Sequence, residues 1–279
     1  MGSGFSLSEN IFLSVCVVYV VMKYHGGKTR QGKRISSVIC SVLKKNLFLT
    51  TYTEPFCGMC GVFTHVAGDT SLEMYVALDS NTSVIMMWIA LSTGWTPNIR
   101  EFNEESFRKL KANGESSAEK GFFGHALTFS GLYFKNFRPE LMSRLEGSVR
   151  SVSKRSDDMT DVVFLSGDYR DVKTENSLIF CDPPYQKQNF YYDECDCRKK
   201  FDSNAFWAWC LKMAENNVVV ISEDTSFFEE KVQDALLSAY TTHLVDLHPI
   251  SIKHCKSTCV SKEQLYIMTK LDVEIPKNY

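Results

Sequence analysis

Residues 177–185 read SLIFCDPPY, and this stretch decides the fold class. A short apolar run followed by turn residues is typical of a buried strand, and the two prolines end it because proline cannot donate to a sheet ladder. Similar runs occur at 74–79 (MYVALD), 162–169 (VVFLSGDY) and 216–224 (NNVVVISED), and we expect further strands near 242–247 and 263–270. Helical patterns separate several of these runs. The alternation predicts an α/β fold with a mostly parallel sheet.

The same patterns divide the chain into blocks. Apolar residues recur at helical spacing around 35–43, and further helices are expected at about 84–91, 203–215 and 226–238. Residues 92–158 keep no period of two or 3.6, so we expect an irregular inserted lobe there. The predicted organisation is an N-terminal extension at 1–22, a core formed by 23–91 and 159–279, and a lobe at 92–158.

Composition excludes several classes of protein. The 279 residues are 44% hydrophobic, which indicates a folded protein. The formal net charge is −2, so the protein as a whole does not attract nucleic acid electrostatically. A polyanion would have to bind at a local basic patch. Ten cysteines without a secretory signal indicate reduced thiols and an intracellular protein, in the cytoplasm or in a nucleus, that is not secreted. Because no cysteine pair repeats at finger spacing, no metal site is predicted. The apolar run at 11–22 is too short to cross a bilayer, so no membrane contact is predicted.

The end of the 177–181 run carries the strongest chemical signal. Ligands of open α/β sheets bind beyond the carboxyl ends of the strands. Pro183 and Pro184 restrict the backbone, which makes the Asp182 side chain and the Pro183 carbonyl a rigid pair of acceptors for a planar amine. Tyr185 adds a ring on which a base can stack. The alternative is a Pro-Pro turn capped by an aspartate.

Two upstream segments could hold a second ligand. Glycines in 54–61 (EPFCGMCG) would let backbone N–H groups approach a ligand closely, and Asp79 ends the next strand, where it could contact a ribose or cap the following helix, as Asn81 could equally. In 23–29 (KYHGGKT), Gly27 offers backbone to a ligand and Lys28 suits a carboxylate. A phosphate-binding P-loop is excluded, because Met22 stands where its first glycine is required.

Six elements, in this order, resemble the Dam-like (DPPY-type) family of adenine-specific DNA N6-methyltransferases: K-Y-x-G-G-K at 23–28, E-P-F-x-G at 54–58, D-x-N at 79–81, G-D-Y at 167–169, D-P-P-Y at 182–185 and I-S-E-D-T at 221–225. The resemblance implies a Rossmann-like methyltransferase fold with a mostly parallel seven-stranded sheet and an inserted target-recognition lobe. It also implies S-adenosylmethionine as methyl donor and double-stranded DNA, with a flipped-out adenine, as substrate. Members commonly have glycine where this chain has Cys60.

Carried over by position, the family's roles fall on these residues. The donor contacts implied are Tyr24, Gly27, Lys28, Phe56, Gly58, Asp79, Asp168, Tyr169 and Asp182, and the catalytic group implied is Asp182, Pro183, Pro184 and Tyr185. A monomer or weak dimer is expected. RNA adenine methylation, and a non-catalytic DNA-binding module that keeps the fold, stay open as alternatives, and the biological setting, such as restriction-modification, also stays open.

A local basic surface is expected to hold DNA. Residues 135–155 contain six basic and two acidic side chains, a balance of +4 (6 − 2). The candidate phosphate contacts are Lys33, Arg34, Lys135, Arg138 and Arg144. Residues 121–137, which include Phe122, Phe123, His125 and Tyr133, are the expected place for base readout or an intercalating wedge. A run of charges is more often only a solvated face.

Overall fold

The computed structural model of the protein describes residues 22–184, 201–224, 240–247 and 263–276. From the first of these ranges come α1 (Gly32–Lys45), β1 (Thr51–Glu54), α2 (Phe63–Asp69), β2 (Met74–Asp79), α3 (Thr82–Ser92), α4 (Glu104–Ala112), α5 (Ala118–Ala126), α6 (Leu145–Ser156), β3 (Val162–Ser166) and β4 (Ser177–Cys181). The remaining ranges give α7 (Ser203–Met213), β5 (Val218–Asp224), β6 (Thr241–Asp246) and β7 (Glu263–Thr269). Short 3-10 turns lie at Phe129–Gly131, Pro139–Arg144 and Tyr169–Asp171.

The described strands form one seven-stranded sheet in the order β3-β2-β1-β4-β5-β7-β6. Strand β7 runs antiparallel to both of its neighbours, β5 and β6, and the other pairings are parallel. The predicted mostly parallel seven-stranded α/β sheet is therefore confirmed. The expected strands and the helix at about 203–215 are found to within a few residues, whereas the helix expected at 226–238 lies outside the described residues.

Both faces of the sheet are covered. In β4, Leu178 and Phe180 belong to a cluster with buried residues of α1, α2 and α3, while Ile179 and Cys181 belong to a cluster with α7. This explains why residues 177–181 are apolar without alternation: parallel strands covered on both faces bury every side chain.

Local sequence sets the helix boundaries. The buried side chains of α1 recur at three- and four-residue spacing, and Lys44 and Lys45 in its last turn suit the negative end of the helix dipole. Asn81 caps α3 by accepting the Ser83 N–H, and Asp202 caps α7 by accepting two backbone N–H groups.

The stretch at 92–158, predicted to be irregular, contains three helices, α4, α5 and α6. The prediction of irregular structure was wrong because α5 has glycines where apolar side chains would reveal a helical period. A Cβ on Gly121 would lie 2.2 Å from the Ser83 carbonyl oxygen of α3, and one on Gly124 would lie 2.7 Å from the Tyr133 ring. Buried residues of α5 and α6 join the cluster under the sheet, including Phe122 and Val152.

None of the helices in the described ranges combines the length and apolar character needed to cross a bilayer.

The first prediction concerns the contact that seats α1 beside the loop after β1. A Cβ on Gly32 would lie 2.0 Å from the Gly61 carbonyl oxygen, so the backbone must move if Gly32→Ala is made. We expect this variant to lower the free energy of unfolding by about 1–3 kcal/mol, the usual cost of overpacking. Urea unfolding measures the effect.

Gly68→Ala in α2 is the matched control, because a Cβ there meets nothing within 4 Å. It should be neutral or stabilise the protein by up to about 1 kcal/mol. Equal unfolding midpoints for the two variants would contradict the assigned contact.

Candidate active site

Several of the predicted donor-binding and catalytic residues lie in the segments that follow β1 and β4. These strands are parallel neighbours, with Thr53 opposite Ile179, yet the chain continues from β1 to β2 on one side and from β4 to β5 on the other. A crevice opens beyond the carboxyl ends of strands at such a reversal. The segments that follow β1 and β4, which begin at Pro55 and Asp182, both lead into it.

Asp79 ties the loop after β1 to the end of β2. Its Oδ2 accepts the Gly58 N–H at 2.9 Å and its Oδ1 accepts the Asn81 N–H at 2.8 Å. Burial raises the pKa of Asp79, and these two hydrogen bonds oppose the shift. Trp88 adds a bond from its Nε1 to the Gly58 carbonyl at 2.9 Å, which the sequence did not indicate. Asn81 caps α3, so Asp79 is not the helix cap.

The segment that contains Tyr24 and Lys28 packs on this loop. Gly58 has φ +44°, and a Cβ there would lie 2.7 Å from the Tyr24 ring. A Cβ on Gly61 would lie 2.9 Å from the Thr29 nitrogen. Glycine is therefore required at both positions for the two segments to come this close.

Lys28 reaches the end of β4. Its Nζ lies 2.9 Å from Asp182 Oδ1, and the two side chains are only 8% and 16% exposed. The structure therefore joins a residue predicted to contact the donor with the predicted catalytic aspartate. Pro183 is buried and Pro184 is half-buried, whereas Tyr185 lies outside the described residues.

A second carboxyl group stands close to this pair. Glu54, at the end of β1, is buried and its Oε1 accepts a hydrogen bond from Tyr52 Oη at 2.6 Å. Burial raises the pKa of Glu54 well above its usual range; the Tyr52 hydrogen bond opposes this, and the negative charge of Asp182 adds to it. The protonated form of Glu54 is thereby favoured beside Asp182.

Aromatic side chains form a cluster with Phe56, which lies in the loop after β1. The Phe56 and Tyr169 rings have centroids 5.4 Å apart, and Tyr169 also lies 5.2 Å from Trp209. Because Phe56 and Tyr169 contact each other, they make a single surface. Phe201 and Phe206 join the same group.

Asp168 precedes this cluster and is held locally. Its Oδ1 and Oδ2 accept from Arg170 Nε at 2.7 Å and from Arg170 NH2 at 2.8 Å. Asp168 also caps the 3-10 turn at Tyr169–Asp171. This turn fixes the position at which Tyr169 enters the aromatic cluster.

Cys57 and Cys60 are free, buried thiols in the loop after β1. Burial raises the pKa of both, so neither is an activated nucleophile. Cys60 has φ +52°, the left-handed region that favours glycine. This agrees with the resemblance, in which glycine is common at this position. Among the residues that the structure describes, no three potential metal ligands cluster.

Arg155 must be removed from the predicted basic surface. Its guanidinium points inward and donates to the Met59 carbonyl at 2.7 Å and to Ser151 Oγ at 3.0 Å. Arg155 therefore clamps the loop after β1. No pattern in the sequence could have revealed a contact that spans 96 positions.

The candidate phosphate contacts lie on two surfaces. Lys33 and Arg34 are exposed at the start of α1, where Arg34 donates to the Asp246 carbonyl at 3.1 Å. Arg138 and Arg144 flank the 3-10 turn at Pro139–Arg144; Arg138 is partly exposed and Arg144 exposed. Lys135 is half-buried.

Three aromatic residues expected to read bases are buried. Phe122 and Phe123 pack inside the lobe, and His125 Nδ1 lies 2.8 Å from the Gly131 carbonyl oxygen. Burial lowers the pKa of His125 to about 4. The His125 ring lies between Tyr24, at 4.7 Å, and Tyr133, at 4.9 Å, so it supports the Tyr24 segment. The expectation that these three residues contact bases directly is wrong, because α5 packs them against α3 and Tyr24.

Comparison with known proteins finds one family model that matches part of the chain. Residues 24–143 match the family model of the D12 class N6 adenine-specific DNA methyltransferases. This range contains the Tyr24–Lys28 segment, the loop after β1 and Asp79, and it ends before Asp182. No curated protein matches the chain in sequence.

Solved structures with a similar fold include three methyltransferases or candidates. A class I S-adenosylmethionine-dependent methyltransferase candidate from Listeria monocytogenes is 12% identical, with a TM-score of 0.45. The alignment covers 91% of this chain and 63% of the Listeria chain. An RNA methyltransferase candidate from Pyrococcus horikoshii is 10% identical, with TM-score 0.43 over 87% of this chain and 85% of its own. The 23S rRNA methyltransferase ErmE is 7% identical, with a TM-score of 0.40. The alignment covers 89% of this chain and 70% of the ErmE chain.

The matching family model implies S-adenosylmethionine as methyl donor, and the residues at the ends of these strands fit this molecule by their chemistry. The ammonium of Lys28 suits its carboxylate, the buried Asp79 carboxylate suits ribose hydroxyls, and the wall of Phe56 and Tyr169 suits a purine. The Tyr24–Lys28 segment, the loop after β1 and Asp79 all lie within residues 24–143, the part of the chain that matches the D12 class of N6 adenine-specific DNA methyltransferases.

Proposed function

We propose that the protein is a site-specific DNA adenine N6-methyltransferase that transfers a methyl group from S-adenosylmethionine to an adenine flipped out of duplex DNA. The observation that carries the proposal is the 2.9 Å contact between Lys28 and Asp182, because it supports a site in which the proposed catalytic acid and the proposed donor segment act together. The family match supports DNA as the substrate.

The chemistry follows from what the residues at the end of β4 can do. When bound, the donor supplies a methyl group on a sulfonium sulfur. The lone pair of an adenine N6 is delocalised into the ring, and acceptors on its two hydrogens localise it. Asp182 is positioned to be one such acceptor, and the Pro183 carbonyl is the second. The donor would supply the methyl group with the C–S electron pair left on sulfur, and the proton released from the methylated amine would pass to the Asp182 carboxylate or to water.

The basic surface at Arg138 and Arg144 is the proposed track for DNA phosphates. It adjoins an exposed aromatic ring, since Phe129 is 59% exposed and the Arg138 guanidinium lies 5.3 Å from the ring centroid. Phe129 therefore replaces the buried Phe122, Phe123 and His125 as the candidate for contact with bases. The turn that carries it lies near the donor segment, because a Cβ on Gly131 would be 2.3 Å from the Lys23 carbonyl oxygen.

A comparison of nucleic acids tests the proposal. The protein is incubated with methyl-labelled donor and with duplex DNA, single-stranded DNA or RNA of matching sequence. Label should enter the duplex fastest. If label enters RNA fastest, the substrate is RNA and the proposal of a DNA substrate is wrong. If no label enters any of the three, the protein is a non-catalytic binding module.

The second prediction concerns Asp182. Asp182→Ala should abolish methyl transfer and leave donor affinity within a few fold, because its acceptor acts mainly on the target amine. Donor affinity is measured by calorimetry with S-adenosylhomocysteine and transfer by the labelled assay. Turnover near that of the unchanged protein would contradict the catalytic assignment.

The third prediction concerns the phosphate track. Each phosphate contact contributes about 0.9 to the slope of log K against log salt. Replacing both Arg138 and Arg144 with Ala should weaken binding to every duplex and flatten this slope by roughly two units. Binding is followed by fluorescence anisotropy over a salt series.

The matched control neutralises Arg108 and Lys109 of α4. Both are exposed and pair with Glu104 and Glu105 at 2.7 Å, outside the proposed track. Their loss should leave the slope unchanged. If both double variants flatten it equally, binding depends on total charge and not on the proposed track.

A further inference from the structure

We propose that Lys28 is a positioning residue for Asp182, in addition to any contact with the donor: it fixes the direction and the negative charge of the carboxylate that meets the target amine. The inference rests on the proposed function and names a residue that controls the acceptor of the same reaction.

The contact has the features of an ion pair that matters energetically. Exposed pairs contribute little, because water screens them. Here Nζ and Oδ1 are 2.9 Å apart, and the side chains are 8% and 16% exposed. Removing one partner of such a pair leaves a buried charge without compensation, which is strongly unfavourable.

The backbone that carries Lys28 is held on both sides. The Gly27 N–H donates to the Tyr24 carbonyl at 3.1 Å, and the Gln31 N–H donates to the Lys28 carbonyl at 2.9 Å. Gly61 lies close enough that its Cβ would be 3.2 Å from the Lys28 carbonyl carbon. A Cα fixed in this way limits where the ammonium can go. Lys28 is therefore suited to orienting a partner.

One lysine can serve both anionic groups. A lysine ammonium has three N–H donors, so it can hold Asp182 and the donor's carboxylate together. If the donor's carboxylate displaced Asp182 from Lys28, the Asp182 carboxylate would be left as a buried charge without a cation, which is unfavourable. Simultaneous binding is the arrangement that the burial of the pair favours.

Glu54 limits the number of charges at this point. Its carboxyl lies near Asp182 and accepts the Tyr52 hydroxyl at 2.6 Å. Since burial favours the protonated form of Glu54, this carboxyl group adds little negative charge beside Asp182. The carboxylate that the structure shows in an ion pair with Lys28 is that of Asp182.

The kinetic test separates positioning of Asp182 from donor binding, and forms the fourth prediction. Single-turnover methylation of duplex DNA is measured at saturating S-adenosylmethionine for Lys28→Met, Lys28→Arg and Tyr169→Leu. Misplacement of a reacting group by about 1 Å can cost roughly 100-fold in rate. Lys28→Met should lose about that much even at saturation, and Lys28→Arg should recover part of it because the cation is retained.

Tyr169→Leu is the comparison variant for donor binding, because Tyr169 belongs to the predicted donor wall and lies outside the ion pair of Lys28 and Asp182. It should bind S-adenosylhomocysteine more weakly in calorimetry and regain its rate at saturating donor. If Lys28→Met also regains the unchanged protein's rate at saturation, Lys28 binds donor only and the proposal is wrong.

A second arm needs no nucleic acid. Urea unfolding midpoints are compared for the unchanged protein, Lys28→Met, Asp182→Asn and the double variant. Each single change should lower the midpoint, and the double change should lower it by less than the sum, because neither charge is then left alone. If the midpoint shifts of the two single variants add up to that of the double variant, Lys28 and Asp182 do not interact energetically and the proposal is wrong. Should Lys28→Met not fold, Lys28→Gln takes its place in both arms.

The two arms distinguish this proposal from the proposed function. An unchanged protein that methylates no nucleic acid contradicts the function, while the unfolding cycle still reports on the pair. Active protein with additive shifts contradicts the positioning role alone.

Discussion

The reversal of chain direction between β1 and β4 is the constraint on which the site depends. Because β1 leads to β2 on one side and β4 leads to β5 on the other, the connections that follow these two neighbouring strands diverge from the same edge of the sheet. The loop after Glu54 and the turn at Asp182 must then lie side by side, although 127 positions (182 − 54 − 1) separate these residues. The close contact between Gly32 and Gly61 brings the Lys28 segment to the same place.

Burial determines how the charged groups at these strand ends are paired. Each charged group at the crevice that has left water has a specific partner: Lys28 with Asp182, Asp79 with two backbone N–H groups, and Arg155 with the Met59 carbonyl. In the low dielectric of the interior such contacts are stronger than at the surface. A buried charged group that lacks its partner therefore destabilises the fold strongly. The same balance leaves Glu54 favouring its neutral form. These strand ends therefore combine one fixed ion pair with apolar and aromatic side chains.

The sequence predicted the parts of this arrangement that are local. Apolar runs that stop at an acid located two strand ends, so Asp79 and Asp182 were placed correctly on the fold. The lobe was different, because glycines that allow α5 to touch α3 also remove the helical period. Contacts across the chain left no local signal, which is why Arg155, Trp88 and the inward His125 became visible only in three dimensions.

The most direct test of the account is the identity of the modified nucleoside. Duplex DNA treated with the protein and S-adenosylmethionine is digested to nucleosides and analysed by mass spectrometry against standards. An acceptor pair at the end of β4 that localises the lone pair of an adenine amine predicts N6-methyl-2′-deoxyadenosine as the product. Methylation confined to cytosine, or to a ring carbon of any base, would contradict the account.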